Sequence, residues 1–224
     1  MRTTPFAAIR SLFSITDEQA MWRVQNEDDE TAFAQLVRRW EGPIRQLCGR
    51  MTGDVHRGED LAQEAFARVF ARRKEFRLDG RFSTWLWRIA LNLCYDELRR
   101  RRRRPEMMAD DAIHDSAEAI DSLDSLAADD PPPDKTLMGQ ESGEMVRQML
   151  MRLPENYRTV LVMRHYENLK FREIAEVLDI PEGTVKSRMA EALSQIGLLL
   201  KPMIAEDNRN ISKPTQKPHQ SLVL

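Results

Sequence analysis

Metal-binding and redox residues are scarce in this chain, which has 2 cysteines and 4 histidines in 224 residues. Cys48 and Cys94 form no Cys-x-x-Cys pair, and His56, His114, His165 and His219 are scattered. The ligand spacings of a zinc site are missing, so no metal or cofactor is expected. Both cysteines fall among apolar neighbours on helical patterns and are expected to be buried and reduced. Glycine is sparse, at 9, and no run of alternating β-branched residues is long enough for a sheet. No apolar stretch approaches the roughly 20 residues of a membrane span, and Met1–Arg10 lacks the apolar core of a secretory signal. A cytoplasmic chain without membrane insertion is expected. Net charge is only −2, which excludes a globally basic nucleic-acid binder.

Charge is instead segregated along the chain. Residues 54–104 carry fourteen Lys/Arg against eight Asp/Glu, and residues 105–144 carry one Lys against twelve Asp/Glu. Helical periodicity dominates elsewhere. Thr16-Asp17-Glu18-Gln19 has the form of a capping box. Phe33, Leu36, Val37, Trp40, Ile44, Leu47 and Met51 follow at helical spacing, with Pro43 expected to kink or interrupt them. Asp54 is a candidate N-cap for a helix reaching about Lys74. Ser83 is a candidate cap for a long helix that runs into Arg99–Arg104. Pro105 stops that pattern, and Pro131-Pro132-Pro133 closes an acidic stretch with the composition of a flexible linker. The expected fold is all-α: two small helical domains joined by a flexible acidic linker. The expected boundaries are an arm at 1–15, a domain at 16–104, the linker at 105–140, a second domain at 141–203 and a disordered tail at 204–224.

The second domain carries the sharpest motif. Ile174, Ala175, Val177 and Leu178 form one apolar helical face, and Asp179-Ile180-Pro181 breaks it. Val185, Met189 and Leu193 resume an i, i+4 stripe, while Lys186, Ser187 and Arg188 point elsewhere. An apolar back with a front of short and cationic side chains suits a helix entering a DNA major groove. On these residues alone, an ordinary pair of antiparallel helices is the alternative.

Three segments in this order resemble the extracytoplasmic-function (ECF) sigma factors of bacterial RNA polymerase. They are Asp60-Leu61-Ala62-Gln63-Glu64-Ala65-Phe66, Phe82–Asn92 running into Asp96–Arg100, and the helix-turn-helix. The resemblance covers about residues 16–104 and 141–200. It implies a factor that binds core RNA polymerase, recognises −35 and −10 promoter elements and stabilises the melted strand. It implies contacts with the β′ clamp of the polymerase at Asp60, Gln63, Glu64 and Phe66, and it implies the β subunit as a further partner. It implies capture of the −10 strand by Phe76, Arg77, Asp79, Phe82 and Asn92. Asn92 suits a base edge because its amide both donates and accepts. Arg99, Arg100 and Arg103 are the candidates for duplex phosphates near the −10 element. Candidates for the −35 element are Arg172, Thr184, Lys186, Ser187 and Arg188. Glu191 stands where the family often has a cation, and it repels phosphate.

Promoter DNA and core polymerase are therefore the expected partners, with an anti-sigma factor implied by the resemblance. No small-molecule substrate or catalytic group is expected, because the acidic residues are mostly surface-patterned or in the linker. A stand-alone helix-turn-helix regulator is the second reading. The near-neutral second domain argues against it, since such a domain binds DNA weakly alone and gains affinity by linkage to polymerase. The acidic linker is also expected to shield the arginine run within the chain.

Overall fold

Among the described residues, short polar caps cut the first half of the chain into four helices. The computed structural model describes residues 15–103 and 133–211, with side chains at 15–103 and 143–201. Helix α1 (Asp17–Asn26) opens with the expected capping box: Gln19 N–H donates to the Thr16 hydroxyl at 3.2 Å, and Thr16 N–H donates to the Gln19 amide oxygen at 3.1 Å. A break then falls where the periodicity gave no warning. Asp28 takes φ 49°, and Asp29 accepts from the N–H groups of Thr31 and Ala32 to start α2 (Glu30–Thr52). Pro43 lies inside α2 and does not interrupt it, so of the expected kink or interruption the second does not occur. Its missing donor deprives only one carbonyl of a partner, and helix continues on both sides.

Gly53, at φ 72°, terminates α2. Asp54 caps α3 (Val55–Ala71) by accepting from Arg57 N–H at 2.9 Å. Gly58 faces Gly49 where α2 and α3 cross. A Cβ on Gly58 would lie 2.6 Å from the Gly49 nitrogen, so only glycine permits this approach. A 3₁₀ turn (Arg73–Glu75) leads to α4 (Phe82–Arg103). Ser83 is not the cap of α4. The helix begins one residue earlier, and the Phe82 N–H donates to the Glu18 carboxylate of α1 at 3.2 Å.

The second half begins earlier than its composition suggested. Helix α5 (Pro133–Arg152) takes Pro133 as its first residue, where an absent N–H costs nothing. Then come α6 (Glu155–His165), α7 (Phe171–Leu178) and α8 (Glu182–Ile211). Helix α8 runs through Pro202 to Ile211, past residue 203, where the second domain was expected to end. Most of the expected linker, residues 105–132, lies outside the described residues, as do the arm before Ile15 and the chain after Ile211.

The two halves share a core. Met21, Leu36, Leu47 and Phe82 belong to the same buried apolar cluster as Val162, Met163, Ile174 and Val185. Helix α2 packs on α5 and α6, and α4 packs on α7. Polar contacts seal this seam. Arg158, 4% exposed, donates to the carbonyls of Met51 at 2.5 Å and Leu153 at 3.0 Å. Arg147 donates to the Gly53 carbonyl at 2.8 Å. Burial pulls the Arg158 guanidinium down from its ordinary pKa. Glu167 sits on the same seam, 3.5 Å from Arg50, which also stacks over the Tyr166 ring. Burial raises the Glu167 carboxyl to about 7 against the pull of Arg50.

Candidate nucleic-acid and polymerase surfaces

Helix α3 divides cleanly into two faces. Leu61, Ala62, Ala65, Phe66 and Val69 are buried, while Asp60, Gln63 and Glu64 are exposed. Asp60 pairs with Arg57 at 3.1 Å, and Glu64 pairs with Arg68 at 2.7 Å. These i, i+3 and i, i+4 pairs hold the carboxylates outward in water, where each is worth only about 0.3–0.5 kcal/mol. They can be exchanged for partners on another protein. Phe66 does not join this face. Its ring points to the core because position 66 lies one residue off the outward stripe.

The loop before α4 is held at both ends by aromatic side chains. Phe76 and Phe82 are buried, with ring centroids 6.1 Å apart, and Trp85 lies 5.3 Å from Phe76. Both phenylalanines were expected at the DNA surface. They serve instead as feet that seat the loop, since burying aromatic area outweighs leaving it in water. Between them Arg77 and Asp79 are exposed and pair at 2.9 Å. The Arg77 hydrogen bond holds the Asp79 carboxyl below its ordinary pKa. Trp87 is buried edge-on against Trp40. Asn92 is exposed on α4, so both its donor and its acceptor are presented.

The arginine run is anchored rather than free. Glu97, 3% exposed at its side chain, receives Arg57 at 3.0 Å, Arg100 at 2.8 Å and Arg101 at 3.0 Å. Burial alone would raise its pKa, but these hydrogen bonds, led by Arg57 and Arg101, bring the carboxyl below the usual range. Arg101 also reaches Asp54 at 2.8 Å and is turned inward. Arg99, Arg100 and Arg103 remain exposed. The periodicity gave no hint of Glu97, because its partners lie three, four and forty residues away.

In the second half, α7, a three-residue turn and α8 form the helix-turn-helix. Asp179 takes φ 54° and caps α7 by donating to the Ala175 carbonyl. Thr184 and Val185 N–H groups donate to the Pro181 carbonyl, which starts α8. Ile174, Val177, Val185 and Ala192 are buried. Arg172, Lys186 and Ser187 are exposed, whereas Thr184 and Arg188 are half-buried. Arg172 pairs with Glu176 at 3.3 Å, and Lys186 pairs with Glu182 at 2.7 Å. Glu191 is exposed and accepts from Gln195 at 2.9 Å.

Two basic residues that the sequence motifs did not single out lie along α4 and its entrance. Arg81 pairs with Glu173 of α7 at 3.1 Å, and Arg88 donates to the carbonyls of Val177, at 3.1 Å, and Glu176. Only a structure brings these pairs together, because their members are about ninety residues apart. Among the described residues, no group of three or more His, Cys, Asp or Glu is arranged to hold a metal ion. No helix among them is long and apolar enough to cross a membrane.

The described residues form helices and a helix-turn-helix, and the chain matches two family descriptions, Sigma-70 region 2 over residues 36–104 and Sigma-70 region 4 over residues 143–196. The chain is 38% identical over 161 residues to the ECF RNA polymerase sigma factor SigW of Bacillus subtilis, covering 72% of this chain and 84% of the relative. It is 36% identical over 190 residues to the RNA polymerase sigma-H factor of Pseudomonas aeruginosa, covering 85% and 96%. Its fold matches the sigma factor RpoE of Bartonella quintana, solved with the anti-sigma factor NepR. That match has a TM-score of 0.54 at 20% identity, over 75% of this chain and 96% of that one. These matches define a promoter-directing initiation factor of the sigma-70 class. Within that class the chain belongs to the ECF sigma factors, which are DNA-binding regulators and not enzymes.

Proposed function

We propose that this sigma factor docks on core RNA polymerase through the outer face of α3, with Asp60, Gln63 and Glu64 meeting the β′ clamp. The observation that carries this reading is the division of α3, whose polar stripe is exposed while its opposite face is locked into the core. The same rigid half presents Arg77, Asp79 and Asn92 to a single strand at the −10 element. A base extruded from the duplex needs edge donors and acceptors held in place, and the loop seated by Phe76 and Phe82 holds Arg77 and Asp79 outward. Arg99, Arg100 and Arg103 attract the flanking phosphates. Arg172, Thr184, Lys186, Ser187 and Arg188 face the −35 element from the helix-turn-helix, whose domain also meets the β subunit.

The factor supplies positioning and strand capture, while the polymerase performs the chemistry, so no catalytic residue is assigned. It works in the cytoplasm. The Bartonella relative is solved with an anti-sigma factor, and a partner of that kind is proposed for this chain as well. The test is competition for core polymerase against a labelled reference sigma factor. Gln63→Ala/Glu64→Ala should weaken this binding at least about tenfold while leaving the thermal unfolding midpoint unchanged, since both side chains are exposed. Unchanged affinity would remove α3 as the docking face.

A further inference from the structure

The loop that carries Arg77 and Asp79 is fastened to α1 at both of its ends. At its entrance the Gln25 amide donates to the carbonyls of Lys74 at 3.2 Å and Phe76 at 3.1 Å, and the Lys74 ammonium donates back to the Gln25 carbonyl. Arg73 pairs with Asp28, just past the end of α1, at 2.9 Å. At its exit the Glu18 carboxylate accepts from the Phe82 N–H. Helix and loop are therefore held as one body, and the space between them has fixed walls.

That space is a surface groove of about 510 Å³, lined by Ile15, Glu18, Gln19, Trp22, Arg23 and Leu78. Its size falls within the range of about 300–1,000 Å³ that seats small organic groups. Trp22 is 43% exposed and Leu78 is 48% exposed, so two large apolar side chains border it in water. Trp40, Trp85 and Trp87 all pack in or against the core, and Trp22 does not. Polar groups stand beside the indole. The Glu18 carboxylate gives one oxygen to Phe82 and keeps capacity to accept from a second donor. Gln19 spends its amide oxygen on the Thr16 cap, which leaves its amide nitrogen to donate. Arg23 in the groove and Arg77 next to Leu78 are both exposed.

We propose that the groove between Trp22 and Leu78 seats one unpaired base of the promoter strand, stacked on the indole, beside the nucleotide that Arg77 and Asp79 meet. This rests on the reading of the loop as part of the −10 surface. A nucleotide matches every group in the groove. Its base has a π-face for Trp22, and such stacking tolerates any base. Its edge offers an amino donor to Glu18 and a ring acceptor to Gln19. Its phosphates suit the guanidinium groups of Arg23 and Arg77. An apolar peptide would cover Trp22 and Leu78 but would leave both cations unmatched. Gln25 and Glu18 then act as positioning residues, since they hold the Leu78 wall against the Trp22 wall.

The test uses holoenzyme assembled from the full chain and core polymerase, with a short fluorescein-labelled single strand carrying the mapped −10 sequence. Trp22→Ala should weaken strand binding by about five- to a hundredfold, the range that stacking of one base on an aromatic ring gives. Trp22→Tyr keeps a ring and should recover most of that loss. Neither variant should change the affinity for core polymerase, since α3 is untouched. Strands with one abasic position at a time locate the seat. One position should cost the parent holoenzyme affinity and cost the Trp22→Ala holoenzyme nothing further. A general loosening of the loop would weaken every position alike and would not give that coupling. Parent-like affinity in Trp22→Ala, while Asn92→Ala binds weakly, overturns the proposal and gives the groove to another occupant, a protein partner or the chain before Ile15. Equal losses in Trp22→Tyr and Trp22→Ala, or no abasic position coupled to Trp22, also overturn it. Unchanged affinity in both Trp22→Ala and Asn92→Ala means that the −10 surface lies elsewhere, and the base seat falls with it.

Discussion

Glu167 is the residue whose chemistry is most at odds with its surroundings. Its side chain is 6% exposed, and its nearest cation, Arg50, is 3.5 Å away, a separation too long for a strong hydrogen bond. The carboxyl is raised to about 7 in the folded chain from an ordinary value of 4.5. The native state therefore binds the proton more tightly than the unfolded state. Stability declines as pH rises from about 4.5 to 7 and is flat above that, with a penalty of at most about 3 kcal/mol at 1.36 kcal/mol per unit. Glu167→Gln removes the penalty, so the variant should unfold at a higher temperature than the parent at pH 8. The two midpoints should converge as pH falls towards 4.5. Calorimetry across that range checks it, and a variant equally destabilised at pH 5 and pH 8 would refute it. Glu97 has the opposite sign: three arginines hold it ionised, so its contribution is lost only in acid. Both carboxylates look alike in the sequence. What separates them is the number of guanidinium groups that folding brings to each.

At the scale of the element, the crossing of α2 and α3 depends on Gly58. A methyl group there meets the Gly49 nitrogen at 2.6 Å and Cα at 2.8 Å, both backbone atoms that cannot step aside. Gly58→Ala should cost about 1–3 kcal/mol through overpacking, despite the better helix propensity of alanine. Thermal unfolding should show the midpoint falling by several degrees. A midpoint equal to or above that of the parent would mean that the helices separate freely. Helices as periodic objects were largely legible: the Thr16 capping box, the Asp54 cap and the apolar face of α7 were read from local spacing, but the expected stripe on α8 holds at Val185 and Met189 and fails at Leu193, which is exposed while its neighbour Ala192 is buried. The Asp28 break, the use of Glu18 to cap α4 and the continuation of helices through Pro43 and Pro202 were not. Each depends on one backbone angle, on a partner sixty-four residues away or on the tolerance of a long helix for one lost bond. The aromatic residues were misplaced for a related reason. Phe66, Phe76 and Phe82 stand beside polar, motif-bearing positions, and adjacency in sequence says little about which way a ring points.

At the scale of the whole molecule, the α3 stripe and the helix-turn-helix front were legible as surfaces, because exposure follows helical period. The seam was not. Arg158 with Met51, Arg81 with Glu173, Arg88 with Val177 and Tyr95 with Thr159 join residues that no local pattern relates. The two halves thus read as separate domains in the sequence and fold around a common core. The most direct test of the account is transcription in vitro with purified core polymerase on fragmented DNA from the source organism, with and without this protein. The account predicts new transcripts from defined starts. These should disappear with Gln63→Ala/Glu64→Ala, which blocks docking, and weaken by roughly five- to a hundredfold with Asn92→Ala, which removes a base-edge contact worth roughly 1–3 kcal/mol. No new transcripts with active core polymerase, together with tight duplex binding by the protein alone, would contradict it.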